Sequence, residues 1–168
     1  MIIEITDEMK QKARGWNDKV MQSNIKYSPN YTGISVNDRF YYGYLGELVF
    51  LELLKQSGKK YEYTPRFDGI PDDCDFLIYI DGKPEKLDVK TASKNFYKNI
   101  MLPKSQWIKK YRDYYIGIRL EGDAANVCGY CKHNDFEEKD TFGYNGVVTM
   151  YKSLNELELI EELLEKID

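Results

Sequence analysis

The chain has 168 residues, with 24 Lys and Arg against 28 Asp and Glu, a net charge of −4. That length suits one ordinary domain, and 42% hydrophobic residues with 15 Tyr, 7 Phe and 2 Trp exclude a disordered chain. The acidic balance argues against a simple basic coat protein for nucleic acid and, taken as an average, points away from DNA.

The first residues, MIIEITDEMKQKARG, turn charged within four positions. They lack the apolar core of roughly 7–15 residues that a secretory signal carries. No stretch approaches the ~20 apolar residues of a membrane helix. Three cysteines, Cys74, Cys128 and Cys131, do not make a disulfide framework. A reducing, cytoplasmic setting without membrane contact is expected.

Residues 6–22 read as a polar amphipathic helix capped by Thr6 or Asp7. Residues 24–35, with Ser28-Pro29-Asn30 and Gly33, read as loop. Ser35 or Asn37 caps a second helix over 38–56, which ends at Ser57-Gly58. Its interior is apolar nearly all round from Tyr44 to Leu54, the pattern of a buried helix. A short strand is expected within 60–65. Segments 74–80 and 85–91 flank Asp81-Gly82, a strong hairpin signal. Pro103 and Ser105 open a short helix near 104–111. Two strands follow, 113–120 and 125–131, then a last strand over 147–151 and an acidic amphipathic helix over 154–167. Helices, then strands, then a helix predict an α/β (α+β) domain over residues 1–168, with a central mixed β-sheet flanked by helices. The first and last helices are additions to its core.

The hairpin separates two kinds of side chain. With Asp81-Gly82 as a two-residue loop, Ile80 faces Lys83 and Asp75 faces Asp88. Directly opposed Cβ atoms lie about 4.5–5.5 Å apart. Lys90 shares the face of Asp88, while Phe76, Ile78, Ile80, Leu87 and Val89 take the other. Pro84 could widen the loop to four residues, which sets Asp75 opposite Lys90 but keeps the same face. Opposed carboxylates repel unless a proton or cation lies between them. Hard oxygen ligands suit Mg²⁺ or Mn²⁺, and a neighbouring ammonium suits a phosphate oxygen or an attacking water. Asp75, Asp88 and Lys90 are thus the parts for metal-assisted phosphodiester hydrolysis. Solvent-facing strand residues are the rival reading, and the opposed like charges weigh against it.

Glu47 falls on one helical face with Phe40, Gly43, Tyr44, Phe50, Leu51 and Leu54. A carboxylate within an apolar stripe needs a partner, which a metal-linked water or a lysine would supply. Gly43 and Gly46 leave room beside it for a strand or a ligand.

Pro71-Asp72-Asp73-Cys74-Asp75 followed by Asp88-Val89-Lys90 resembles the signature of the PD-(D/E)XK nucleases. Tyr44-Leu45-Gly46-Glu47 is similar to that family's first motif, a helix bearing a Glu. The resemblance covers roughly residues 38–120 and implies a restriction-endonuclease-like core. It implies a Mg²⁺- or Mn²⁺-dependent enzyme, most simply an endonuclease, acting on DNA. Asp75 and Asp88 would bind the metal with the Val89 carbonyl, Lys90 would orient or activate the water, and Glu47 would bind metal or water. The literal Pro-Asp pair points to Asp72, with Asp73 beside it, whereas the hairpin register points to Asp75. Gln106 to Tyr111 resembles the Gln-and-Tyr helix motif of RecB-like nucleases with one extra residue of spacing. Nucleases of this shape that cut two strands act as dimers, and the acidic last helix offers a homodimer interface.

Residues 83–112 hold nine basic residues against two acids, a net +7 that leaves −11 elsewhere. Lys94, Lys98, Lys104, Gln106, Lys109 and Lys110 are candidate nucleic-acid contacts, interleaved with Phe96, Tyr97, Trp107 and Tyr111. The average charge therefore conceals a basic segment beside the proposed site. Cys128-Gly-Tyr-Cys131-Lys-His133 lacks a fourth ligand for structural zinc and reads as buried thiols. The rival function is a catalytically inactive nuclease-like module that binds nucleic acid or a protein partner; metal binding separates the two.

Overall fold

A computed structural model of the chain describes residues 1–22, 36–65, 74–139 and 148–168. The loop expected at 24–35, and both Asp72 and Asp73, lie outside the described residues. A short strand, β1 (Ile2–Glu4), leads into α1 (Asp7–Gln22). Thr6 caps α1, its Oγ1 accepting the Met9 N–H at 3.2 Å. Helix α2 (Val36–Gln56) ends in a Schellman turn. There Gly58, at φ +64°, donates to Lys55 O, and Lys59 donates to Leu54 O, both at 3.0 Å. Leu48, Val49, Phe50, Leu53 and Leu54 are buried, as the apolar pattern requires.

Three strands follow: β2 (Tyr61–Tyr63), β3 (Phe76–Ile80) and β4 (Lys83–Ala92). The β3–β4 register runs from Ile80 opposite Lys83 to Phe76 opposite Leu87, as a two-residue loop demands. Asp81 and Gly82 both have positive φ, 51° and 73°, the signature of the tight turn whose twist matches the strands. Pro84 faces Tyr79 within the ladder and does not widen the loop.

The chain then crosses through β5 (Asn99–Pro103) and α3 (Lys104–Lys109) to β6 (Tyr114–Glu121), which pairs parallel with β4. Strand β7 (Ala124–Lys132) returns antiparallel to β6. A 3-10 turn at His133–Asp135 precedes β8 (Glu137–Lys139) and β9 (Thr149–Ser153). A second 3-10 turn, Leu154–Glu156, and α4 (Ile160–Lys166) follow.

The strands form two sheets, where the sequence led us to expect one. A six-stranded mixed sheet has the order β1-β7-β6-β4-β3-β2, and a three-stranded sheet the order β5-β9-β8. The continuous helix expected over 154–167 is also interrupted. Glu158 donates its N–H to Tyr130 O at 2.8 Å and accepts the Tyr130 N–H at 3.0 Å, so its backbone is committed to a strand-like bridge. Gly129 makes the approach possible: it has φ +148°, and a Cβ there would lie 2.2 Å from the Glu158 carbonyl oxygen.

Two apolar clusters cover opposite faces of the large sheet. Side chains of α1, α2 and α4 pack on Phe76, Ile78, Leu87, Val89, Ile116 and Ile118. Ala13, Trp16 and Val20 of α1 and Leu163 and Leu164 of α4 lie within this cluster. The other face joins Ala92, Tyr115 and Cys131 to Ile100, Leu102 and Met150 of the small sheet. No helix among the described residues is long and apolar enough to cross a membrane.

Candidate active site

The regular β3–β4 ladder ends at Phe76, one residue short of the acid pair. Asp75 bends there. Its N–H donates to Leu87 O at 3.1 Å and to Asp88 Oδ1 at 3.3 Å. Its own carboxylate accepts the Val89 N–H at 2.7 Å, taking the place of a main-chain carbonyl. Each acid thus accepts a backbone N–H from the opposite strand, which holds the two side chains together more firmly than ladder pairing alone would.

Asp88 is only 4% exposed. Alternation along β4 sets it, with Lys90 and Ala92, on the face toward the small sheet. Lys90 Nζ donates to Asp88 Oδ2 at 3.1 Å, and Arg112 Nε donates to Oδ1 at 2.7 Å. Arg112 is 2% exposed, and its Nη1 also donates to the Tyr111 carbonyl at 3.0 Å. The basic-segment count treated Arg112 as one more surface cation. The structure instead places it beneath the acid pair.

The two carboxyls are driven apart electrostatically. Burial and then the charge of Asp88 push Asp75 up to about 7, against the opposing pull of Lys90, the Val89 N–H and Arg112. Burial also acts to raise Asp88, but Lys90 and Arg112 outweigh it and hold that carboxyl below its ordinary value. Asp88 is therefore the fixed anion and Asp75 the group that exchanges a proton near neutrality.

Glu47 lies on the other side of β4. Gly46 meets Thr91, where a Cβ on the glycine would come within 2.0 Å of Thr91 Oγ1. The close strand approach expected at Gly46 is thus present. Glu47 Oε2 accepts the Tyr63 hydroxyl at 3.0 Å, a tyrosine where a lysine or water was expected. The Tyr63 ring stacks on Phe76 at 4.6 Å. Burial, then Glu47 and Asp75, raise the Tyr63 hydroxyl far above its ordinary value, so it stays protonated. Asp75, Asp88 and Lys90 converge directly; Glu47 is held by Tyr63, which pairs with Phe76 next to Asp75. Among the described residues no three His, Cys, Asp or Glu are grouped to hold a metal ion.

Behind the pair, Tyr115 lies opposite Asp88 in the β4–β6 register. Its hydroxyl is 3.3 Å from His133 Nδ1, and Lys90 Nζ is 5.8 Å from its ring centroid. The Arg112 N–H points to His133 Nδ1 at 3.4 Å, and Trp107 stacks on the His133 ring at 4.8 Å. Burial and then Arg112 lower His133, so the imidazole is a neutral spacer. Of the three cysteines, all free, Cys131 is buried and pushed up to about 12 by burial.

The predicted nucleic-acid contacts differ in exposure. Lys94 and Lys98 are exposed near the end of β4, and Lys109 is exposed on α3. Lys104 pairs with Glu138 at 2.5 Å, and Gln106 and Lys110 are half-buried. Phe96 and Tyr111 are exposed, whereas Tyr97 and Trp107 pack on the second cluster. Three contributors escaped the sequence reading: Arg112, Tyr63 and Arg39. The first two become visible only through long-range pairing; Arg39 lines a cleft beside Lys90 with Tyr42 and Lys98.

No protein-family model matches the chain, and comparison with curated proteins returns no match.

Proposed function

We propose that the chain is a metal-dependent nuclease of the PD-(D/E)XK type that hydrolyses phosphodiester bonds in DNA. The observation that carries this reading is the pair itself: two acids joined across the hairpin through backbone N–H groups, with Lys90 on the Asp88 carboxylate. Mg²⁺ keeps most of its waters and takes one or two carboxylates, so Asp75 and Asp88 fit it in number and kind. Such an ion, when bound, would offset phosphate charge and lower the pKa of an attacking water. The chain's own part follows from its geometry. Asp88, braced by Arg112, holds a fixed direction. Asp75 accepts or releases a proton near pH 7. Lys90 orients the water or a phosphate oxygen, and Tyr63 keeps Glu47 turned toward the hairpin.

One observation favours a second reading, a nuclease-like module that binds nucleic acid without cutting it. Arg112 already neutralises Asp88 from below, and Lys90 occupies the other oxygen. Calorimetric titration with Mn²⁺ separates the two. The nuclease binds Mn²⁺ more tightly at pH 8 than at pH 6, because binding below about 7 must displace the Asp75 proton. Plasmid and linear DNA with Mg²⁺ complete the test. Lys90→Ala is expected to slow cleavage by roughly 10²–10⁴-fold while leaving the fold intact. Equal cleavage by wild type, Asp88→Ala and Lys90→Ala defeats the assignment.

A further inference from the structure

A cleft of about 270 Å³ opens beside Lys90. It is lined by Arg39, Tyr42 and Gly43 from α2, by Lys90 and Thr91 from β4, and by residues 97–101. Its lining includes three cations, Arg39, Lys90 and Lys98, and, among the described residues, no acid. Between the cations it is largely apolar and aromatic, with Tyr42 and Tyr97 contributing rings. Arg39, Tyr42 and Gly43 share one helical face. Gly43 leaves that face open among the described residues, where a Cβ would meet no atom within 4 Å.

A duplex presents phosphates and groove edges and keeps its base faces stacked inside. It has no use for a narrow apolar recess. An unpaired nucleotide offers a flat apolar face and an attached anion, which matches rings within a cationic surround. The volume is close to the lower end of the roughly 300–1,000 Å³ of small-molecule sites. We infer that this cleft holds one unpaired nucleotide of the strand next to the phosphodiester to be cut. The chain would then act on single-stranded segments or frayed ends ahead of intact duplex. The inference rests on the nuclease reading for what happens at Lys90, though nucleotide capture itself needs no metal.

The test is binding of a single-stranded oligonucleotide carrying 2-aminopurine, against the same sequence as a blunt duplex, in EDTA so that nothing is cleaved. The wild type is expected to prefer the single strand by at least tenfold and to change the 2-aminopurine emission on stacking. Gly43→Leu fills the recess from within a helix, where leucine is the better helix former. It should raise or maintain Tm while weakening single-strand binding about 5- to 100-fold, the range of one lost stacking contact. Tyr97→Leu should weaken it similarly, and Tyr97→Phe should not. Equal affinity for single strand and duplex overturns the inference, as does a folded Gly43→Leu that binds the single strand like wild type. The two readings fail separately. Single-strand preference without Mg²⁺-dependent cleavage removes the nuclease and keeps the cleft, whereas cleavage without that preference removes the cleft and keeps the nuclease.

Discussion

The two faces of the six-stranded sheet carry different interiors. On the helical side, Phe50, Leu53, Leu54, Ile78 and Ile116 pack without a buried charge among them. On the side of the small sheet, Asp88, Arg112 and His133 are buried beside Tyr115 and Trp107. Both sides exclude water, but the side of the small sheet also sets buried ionic groups against one another. Dry apolar contact supplies stability wherever it occurs; a low-dielectric pocket becomes chemically useful only where unlike charges are set in it at fixed angles. The strand β4 belongs to both sides, with Leu87 and Val89 in one interior and Asp88 and Lys90 turned to the other.

The sharpest way to break this contrast is to remove the charge on one side only. Asp88→Ala strands the Arg112 guanidinium in a buried site and should cost about 3–5 kcal/mol in denaturant unfolding. Replacing both partners with apolar residues, Asp88→Leu with Arg112→Met, should recover most of that loss and leave no Mn²⁺ heat. A double variant as unstable as the single one would show that the pair is more than a mutually satisfied charge couple. Leu53→Ala on the helical side should cost about 2–5 kcal/mol through a cavity. It should leave Mn²⁺ affinity unchanged once the protein is folded, since Leu53 lies among apolar side chains on the face turned away from Asp88 and Lys90. A changed affinity would mean that the two sides are coupled through β4.

The smallest expected effect lies in the pH profile of Tm. Asp75 has a folded pKa raised to about 7, so its contribution is full below the ordinary carboxylate range and fades as pH rises through about 7. Asp88 runs in the opposite direction. Its folded pKa is lowered, so its contribution is present above the ordinary range and fades as pH falls through the folded value. Asp75→Asn should therefore flatten the decline of metal-free Tm between about pH 4 and 7 while leaving the acid limb in place. An unchanged profile in the variant would remove Asp75 as the titrating member.

Local signals carried a large share of this architecture. Asp81-Gly82 encodes a turn by the positive φ both residues tolerate, and the register of the hairpin follows from it. Gly58 encodes the end of α2 in the same way. Gly46 encodes the contact with Thr91, because only a missing Cβ allows it. The convergence of Asp75, Asp88 and Lys90 was legible for that reason. Arg112 was not, since it sits beside Asp88 through the parallel β4–β6 pairing and no local period reports such a partner. The strands β1, β5 and β8 are three to five residues long, too short for alternation to stand out. The last helix looked continuous because Leu154, Leu157 and Ile160 keep helical spacing, while the force that breaks it is a backbone bridge from Tyr130.

The parallel crossover has a consequence in time. A hairpin closed by a two-residue turn forms locally, within about 1–10 μs. Asp75 and Asp88 can thus meet early, with Lys90 beside them from the same hairpin. Arg112 arrives only after β5 and α3 have been traversed and β6 has docked on β4, a closure of much longer range. Until then the nascent site carries its repulsion without its brace. The docking of β6 therefore does two things in one event: it completes the sheet, and it sets the charge on Asp88 that the finished site depends on.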